Sequence, residues 1–149
     1  MLTFAEIQIE DIEEICALEE RTFSMPWKAA DFMDMIRLPY CYYIAAREDG
    51  RLVGCCGVRD MCGDGEITNV VIDESCRGRG YGERMLRYLM QEALRRGVIS
   101  FTLEVRQSNA PARGLYEKLG FVSEGIRPDF YEAPKEDAII YWLRDAGRN

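Results

Sequence analysis

The sequence predicts a mixed α+β fold, one sheet with helices on both of its faces. Three observations carry that reading: two strand patterns joined by a hairpin turn early in the chain, a strand, helix and strand crossover in the middle, and two more strand patterns at the end. With 149 residues the chain can bury one core but not two joined by a linker, so residues 1–149 are read as a single domain.

The elements follow in order. Residues 2–9 set Leu2, Phe4, Ile7 and Ile9 in an imperfect alternation, a first strand. Asp11 can cap a helix in which Ile12, Ile15, Leu18 and Phe23 keep a rough helical period, and Pro26 stops it. A short second helix is predicted over 28–37. Residues 41–47 and 52–61 flank Glu48-Asp49-Gly50-Arg51, a turn whose glycine accepts positive φ, and so form an antiparallel pair. The turn Gly63-Asp64-Gly65 leads to a fourth strand over 66–72, and its Val70-Val71-Ile72 run reads as buried on both sides.

After Gly78 to Gly82 an amphipathic helix carries Met85, Leu86, Leu89, Met90, Ala93 and Leu94 on one stripe, and Gly97 ends it. Ile99, Phe101, Leu103 and Val105 then alternate with polar residues, a strand with one greasier face. Ser108 or Asn109 can cap the next helix, which has Pro111 in its first turn and Gly120 at its end. The last two strands are predicted over 121–127 and 138–144. Between them a loop holds Pro128, Phe130, Tyr131 and Pro134, aromatics that either touch a ligand or cover the core.

Composition narrows the function. The 19 Lys and Arg against 26 Asp and Glu give a net charge of −7, which opposes nucleic acid as the main partner and suits a basic peptide or protein. The absence of histidine removes the usual general base, the usual zinc partner and every Cys-His or Ser-His nucleophile. The six cysteines show no CxxC spacing and read as small buried hydrophobes in a reducing cytosol, so no metal is expected. No apolar run reaches the roughly 20 residues of a membrane span and no signal-peptide pattern opens the chain, so a cytoplasmic location is expected.

Two constellations can carry chemistry. Arg77-Gly78-Arg79-Gly80-Tyr81-Gly82 lies between a strand and a helix start, where unpaired amides and the helix dipole favour an anion such as a pyrophosphate. It is neither a Walker motif nor the dinucleotide GxGxxG, and a mere tight connection is the plainer alternative. Glu104 falls near the C-terminal end of the strand after the crossover, where partial burial would raise its pKa toward that of a working base; an exposed Glu on the polar face is the alternative. Tyr116 follows twelve positions later on the inner face of a helix and could return its hydroxyl to that strand end, although on pattern alone it reads as core.

These motifs together resemble the GNAT superfamily of acetyl-coenzyme A dependent N-acetyltransferases. The element order, the turn from Arg77 to Gly82 and Asn109 with Leu115-Tyr116-Glu117-Lys118-Leu119-Gly120-Phe121 carry the likeness over nearly the whole chain. Phe23-Ser24-Met25-Pro26-Trp27, Leu103 to Asn109, and Glu136-Asp137-Ala138-Ile139-Ile140 are further similar to its bacterial ribosomal-protein-alanine branch.

The resemblance implies a mostly antiparallel sheet of about seven strands with a parallel pair at its splayed centre. It implies that backbone groups of Val70, Val71 and Ile72 pair with the pantetheine arm, that Arg77, Gly78, Arg79, Gly80, Tyr81, Gly82 and Glu83 hold the pyrophosphate, and that Asn109 bonds the cofactor further along. Glu104 is then the general base and Tyr116 the general acid of a direct acetyl transfer to the N-terminal alanine of a ribosomal protein, small-subunit protein eighteen. Acetyl-CoA is the cosubstrate and no metal is needed. Broader N-terminal or lysine targets, a coenzyme-binding module without catalysis, and a nucleotide-binding domain remain as alternatives. Three positions depart from the family pattern: Gly114 within its helix, Phe130 where a second tyrosine is usual, and Tyr141 in place of a methionine.

Overall fold

The computed structural model of the protein describes residues 1–146. Its seven strands are β1 (Leu2–Glu6), β2 (Cys41–Glu48), β3 (Arg51–Met61), β4 (Asp64–Ile72), β5 (Ser100–Arg106), β6 (Val122–Tyr131) and β7 (Glu136–Leu143). They form one sheet in the order β1-β2-β3-β4-β5-β7-β6. Only β4 and β5 run parallel, because the connection between them is a helical crossover; the other neighbours are antiparallel. The helices are α1 (Ile12–Thr22), α2 (Ala29–Ile36), α3 (Tyr81–Arg95) and α4 (Ala110–Lys118).

Period-two alternation explains how one sheet serves two layers. On β2, Tyr42, Ile44 and Ala46 point to one core, while Cys41, Tyr43 and Ala45 point to the other. The first core takes Met85, Leu86, Leu89 and Ala93 of α3 and Tyr116 of α4; the second takes Ile12, Ile15 and Leu18 of α1 and Phe32 of α2. Each large aliphatic side chain so buried contributes about 1.5–3 kcal/mol. A strand covered on both faces has no reason to alternate polar with apolar, and β2 does not.

The feature that positions the site is at the sheet's centre. β4 and β5 are paired only at Asp64 with Ser100, Gly65 with Phe101 and Glu66 with Thr102, and diverge beyond. The close end needs glycine: a Cβ on Gly65 would come within 2.9 Å of Val58 and 3.1 Å of Phe101. On its other side β4 bulges, for Asn69 and Val70 together oppose the single Cys56 between the pairs Cys55–Val71 and Gly57–Thr68, and Asn69 takes φ +55°.

Several boundaries shift from the sequence expectation. β1 ends at Glu6, and Ile9 is exposed in a short 3-10 turn. Asp11 stands at the start of α1 but accepts the Gln8 amide N–H (2.8 Å), so it braces that preceding turn instead of capping the helix. Val70 and Ile72 are half-buried and only Val71 is fully buried, because the splay removes the β5 neighbour that a doubly covered strand would have. Ile99 is exposed just before β5, and Ser100 takes the buried place, its Oγ accepting the Asp145 N–H. Pro128, Phe130 and Tyr131 belong to β6, which runs past a register shift, so the connecting turn shrinks to 132–135. Among the described residues no helix is long and apolar enough to cross a membrane.

Candidate active site

The divergence of β4 from β5 leaves the inner edge of 67–72 without a strand partner, so the amides and carbonyls of that edge, around Val70, Val71 and Ile72, face a cleft. At the cleft's end the chain turns into α3. Gly78 and Gly80 adopt φ +81° and +77°, a left-handed conformation that costs other residues about 1–2 kcal/mol, and no atom would crowd a Cβ at either. Gly80 is the N-cap of α3, so the first N–H groups of the helix, those of Tyr81, Gly82 and Glu83, lack intrahelical acceptors and stand at the positive end of its dipole. Gly82 has a different reason: a Cβ there would come 3.2 Å from Leu115 in the middle of α4, so it lets the start of α3 pack against that helix.

The side chains of this turn are partly committed. Arg79 lies 3.6 Å from Glu48, which also accepts a short hydrogen bond from the Tyr81 hydroxyl. Glu83 pairs with Arg87 and Lys118, each at 2.9 Å, and those cations hold its carboxyl below the usual range. Its backbone N–H, not its charge, is what Glu83 can offer an anion. Arg77 lines a cavity of about 400 Å³ with Arg21, Asp73 and Ser75 beside the turn. Asn109, and not Ser108, caps α4: its Oδ1 accepts the Ala112 N–H (3.2 Å), leaving the Nδ2 group for a ligand.

Glu104 sits on β5 opposite Ile140 of β7, half-buried. Its Oε2 has no hydrogen-bond partner and lies 3.4 Å from Arg127 Nε. Burial raises the carboxyl above its ordinary value; Arg127 opposes that rise and Glu66 adds to it. Tyr116 is buried against Phe121 and Tyr141, ring centroids 6.0 and 6.2 Å away, and burial keeps its phenol protonated well above neutrality.

Tyr131 is under the electrostatic influence of Glu104. Its phenol is pushed up to about 12, first by burial and then by the Glu104 charge, and it in turn bears on Tyr116. From the sequence it reads only as a loop aromatic. Arg106, which the sequence does not mark as a site residue, lies 4.5 Å over the Tyr131 ring. Its guanidinium donates to the carbonyls of Glu132 (2.9 Å) and Pro134 (2.8 Å), pairs with Glu136 (3.2 Å) and reaches Ser24 Oγ (3.5 Å). A strand-end arginine two residues after a candidate base was the available signal; which loops it would bind was not.

Of the departures, Tyr141 has a local role: its hydroxyl donates to Glu117 (2.7 Å) and accepts from Arg113 Nε (3.1 Å). Gly114 would meet nothing within 4 Å if it carried a Cβ. The cysteines are free, and burial pushes the thiols of Cys41, Cys55 and Cys56 up, away from nucleophilic reactivity. Among the described residues no cluster of three or more Cys, Asp or Glu is arranged to hold a metal ion.

The comparisons with known proteins decide the family. Residues 9–121 match the model of the Acetyltransferase (GNAT) family. The chain belongs to the GNAT acetyltransferases. A Bacillus subtilis (strain 168) protein is 36% identical over 92% of this acetyltransferase and 91% of its own chain. The Escherichia coli (strain K12) protein named [Ribosomal protein bS18]-alanine N-acetyltransferase is 30% identical, covering 96% of this chain and 97% of its own. The crystal structure of the ribosomal-protein-S18-alanine N-acetyltransferase from Escherichia coli superposes with a TM-score of 0.90 at 28% identity, over 98% of this chain and 95% of that one. The acetyltransferase thus has the fold the family resemblance implied, a seven-stranded sheet with one parallel pair and helices on both faces.

Proposed function

We propose that this acetyltransferase moves an acetyl group from acetyl-coenzyme A to the N-terminal α-amine of a protein, and that its substrate is a ribosomal protein beginning with alanine, of the bS18 type named for its relatives. The observation that carries the reading is the unpaired inner edge of β4 running into the open glycine turn, with a half-buried Glu104 on the facing strand.

The residues present suit the coenzyme. A pantetheine arm, which has amides of its own, can replace the missing strand against Val70, Val71 and Ile72, and the turn from Arg77 to Glu83 offers a pyrophosphate main-chain N–H groups at a helix start. Asn109 Nδ2 is free to donate beyond it. The bound thioester supplies an activated acyl carbon.

The chain's own groups handle the protons. An α-amine of pKa about 8 is mostly protonated at neutral pH and cannot attack until it loses a proton. Glu104, its pKa raised by burial, takes that proton, directly or through one water. Tyr116 keeps its own proton across the physiological range and gives it to the departing sulfur. Holding both reactants together supplies much of the remaining acceleration. No cysteine takes part.

The test is a transfer assay on purified protein with acetyl-coenzyme A and three peptides: one beginning Ala-Arg, one beginning with another residue, and one with a blocked N-terminus and an internal lysine. Mass spectrometry should place the added acetyl on the alanine amine at the highest kcat/KM. Equal rates on the lysine peptide would replace this reading with a broader acceptor range, and tight coenzyme binding without transfer to any peptide would leave only a binding module.

A further inference from the structure

Glu19 is the one fully buried carboxylate among the described residues, 1% exposed on the inner face of α1, and no lysine or arginine pairs with it. Such a group is costly unless its oxygens are satisfied. Both are. Oε1 accepts the backbone N–H of Trp27 (3.0 Å), and Oε2 accepts Asn69 Nδ2 (2.9 Å).

These partners belong to two different working surfaces. Trp27 lies in the 23–28 connection between α1 and α2, whose Ser24 touches Arg106 at the end of β5, two residues beyond Glu104. Asn69 is the bulge residue of β4, at φ +55°, directly before Val70. Its Oδ1 accepts the Tyr43 hydroxyl (3.2 Å), which also bonds Thr68 Oγ1 (2.8 Å), and the Tyr43 ring stacks on Trp27 with centroids 5.9 Å apart. The carboxylate therefore closes a loop of contacts running from Trp27 through Tyr43 to Asn69. If packing alone held the connection, an apolar residue at position 19 would serve; a carboxylate accepting two donors also sets direction.

We infer that Glu19 is a positioning residue that fastens the 23–28 connection to the β4 bulge, so that the surface receiving the acceptor peptide and the strand receiving the acyl donor are held as one piece. This rests on the function proposed above. On that function β4 sets the acyl carbon and the connection, whose Ser24 reaches Arg106 two residues beyond Glu104, borders the place of the amine; an error of about 1 Å between them costs up to roughly 10²-fold in rate.

The test compares wild type with Glu19→Ala, Glu19→Gln and the double variant Glu19→Gln/Asn69→Asp. In the double variant the amide introduced at position 19 still accepts from the Trp27 N–H and donates to the carboxylate introduced at position 69, which still accepts from Tyr43. The hydrogen bonds thus survive with the charge moved, and an aspartate also tolerates positive φ. Acetyl-coenzyme A affinity is read by calorimetry, peptide kcat and KM by transfer, and backbone mobility by hydrogen exchange of 23–28 and 67–72 against α3. For Glu19→Ala the expected result is about a tenfold or greater rise in peptide KM with a fall in kcat, and coenzyme affinity within about threefold of wild type. Exchange should quicken in both segments and stay unchanged in α3, and the double variant should recover most of the loss. Where Glu19→Ala does not fold, the double variant decides: near wild-type KM and exchange support the inference. Unchanged peptide KM and exchange in Glu19→Ala, or a double variant as impaired as Glu19→Ala, overturns it. Wild-type protein that transfers to no peptide overturns the functional reading instead, and the exchange pattern still judges the link between the two segments.

Discussion

Glu104 of β5 and Arg127 of β6 meet across the intervening strand β7, with Oε2 and Nε 3.4 Å apart. The ion pair sets the base against two opposed influences. Burial raises the carboxyl and the guanidinium lowers it, so a group that must lose its proton near neutrality is kept from rising too far.

Replacing Arg127 with Met should therefore raise the Glu104 pKa and move the acidic limb of the kcat/KM profile to higher pH. Arg127 is more than half exposed, so solvent screening keeps the upward shift small. A pH profile from 5 to 9 measures it, and a limb that stays in place or moves down detaches Glu104 from that limb.

For Glu104→Gln the expected loss in kcat/KM at neutral pH is about 10² to 10⁴, shrinking above pH 8 as the amine deprotonates unaided. Stability should move the other way. A carboxyl whose folded pKa lies above its unfolded value costs stability once it is ionised, so the variant should melt no lower than wild type at high pH. Calorimetric melts at two pH values check this sign.

Tyr116→Phe should leave acetyl-coenzyme A affinity nearly unchanged and lower turnover at least about tenfold. Because burial keeps the phenol protonated, the wild-type profile should show no basic limb from Tyr116 near neutrality. Turnover equal to wild type would return Tyr116 to a packing role beside Phe121 and Tyr141.

Gly80→Ala meets no steric obstacle and still carries the left-handed penalty of about 1–2 kcal/mol. A melting temperature lower by several degrees is expected, with weaker coenzyme binding by calorimetry because the N-cap of α3 turns away. Unaltered binding would place the pyrophosphate elsewhere.

Arg106→Met removes the donors to Glu132, Pro134 and Ser24 while keeping apolar contact with Tyr131. Peptide KM should rise by roughly tenfold with coenzyme affinity held, since the guanidinium braces the 132–135 turn and not the glycine turn. Kinetics against an Ala-Arg peptide measure the split.

Much of this was legible in the residues. Hydrophobic period placed α1, α3, β1 and β5, cap and stop residues placed α4, and glycine chemistry placed the turns at Gly50, Gly97 and Gly120, all at positive φ in the structure. Errors gathered at element ends, where tertiary partners decide. β6 extends to Tyr131 because Tyr131 pairs with Glu136 of β7 beyond a register shift, and Ile9 leaves the first strand because Asp11 captures the Gln8 amide. Glu19 escaped notice since an isolated glutamate in an acidic helix looks like a solvated residue; only the packing of α1 on the sheet turns it inward.

The sequence by itself determined the local order: which segments are helix or strand, where the chain reverses, and that proton chemistry must use Glu, Asp, Tyr, Cys or Lys in a chain without histidine. Those are properties of spacing and residue type, which neighbours along the chain already express. The tertiary structure alone decided where β4 leaves β5, how Asn69 bulges, and which distant groups surround Glu104. Desolvation and ion pairing depend on what lies across space, and residues as far apart as Glu104 and Arg127, or Glu19 and Asn69, become neighbours only when the sheet is assembled.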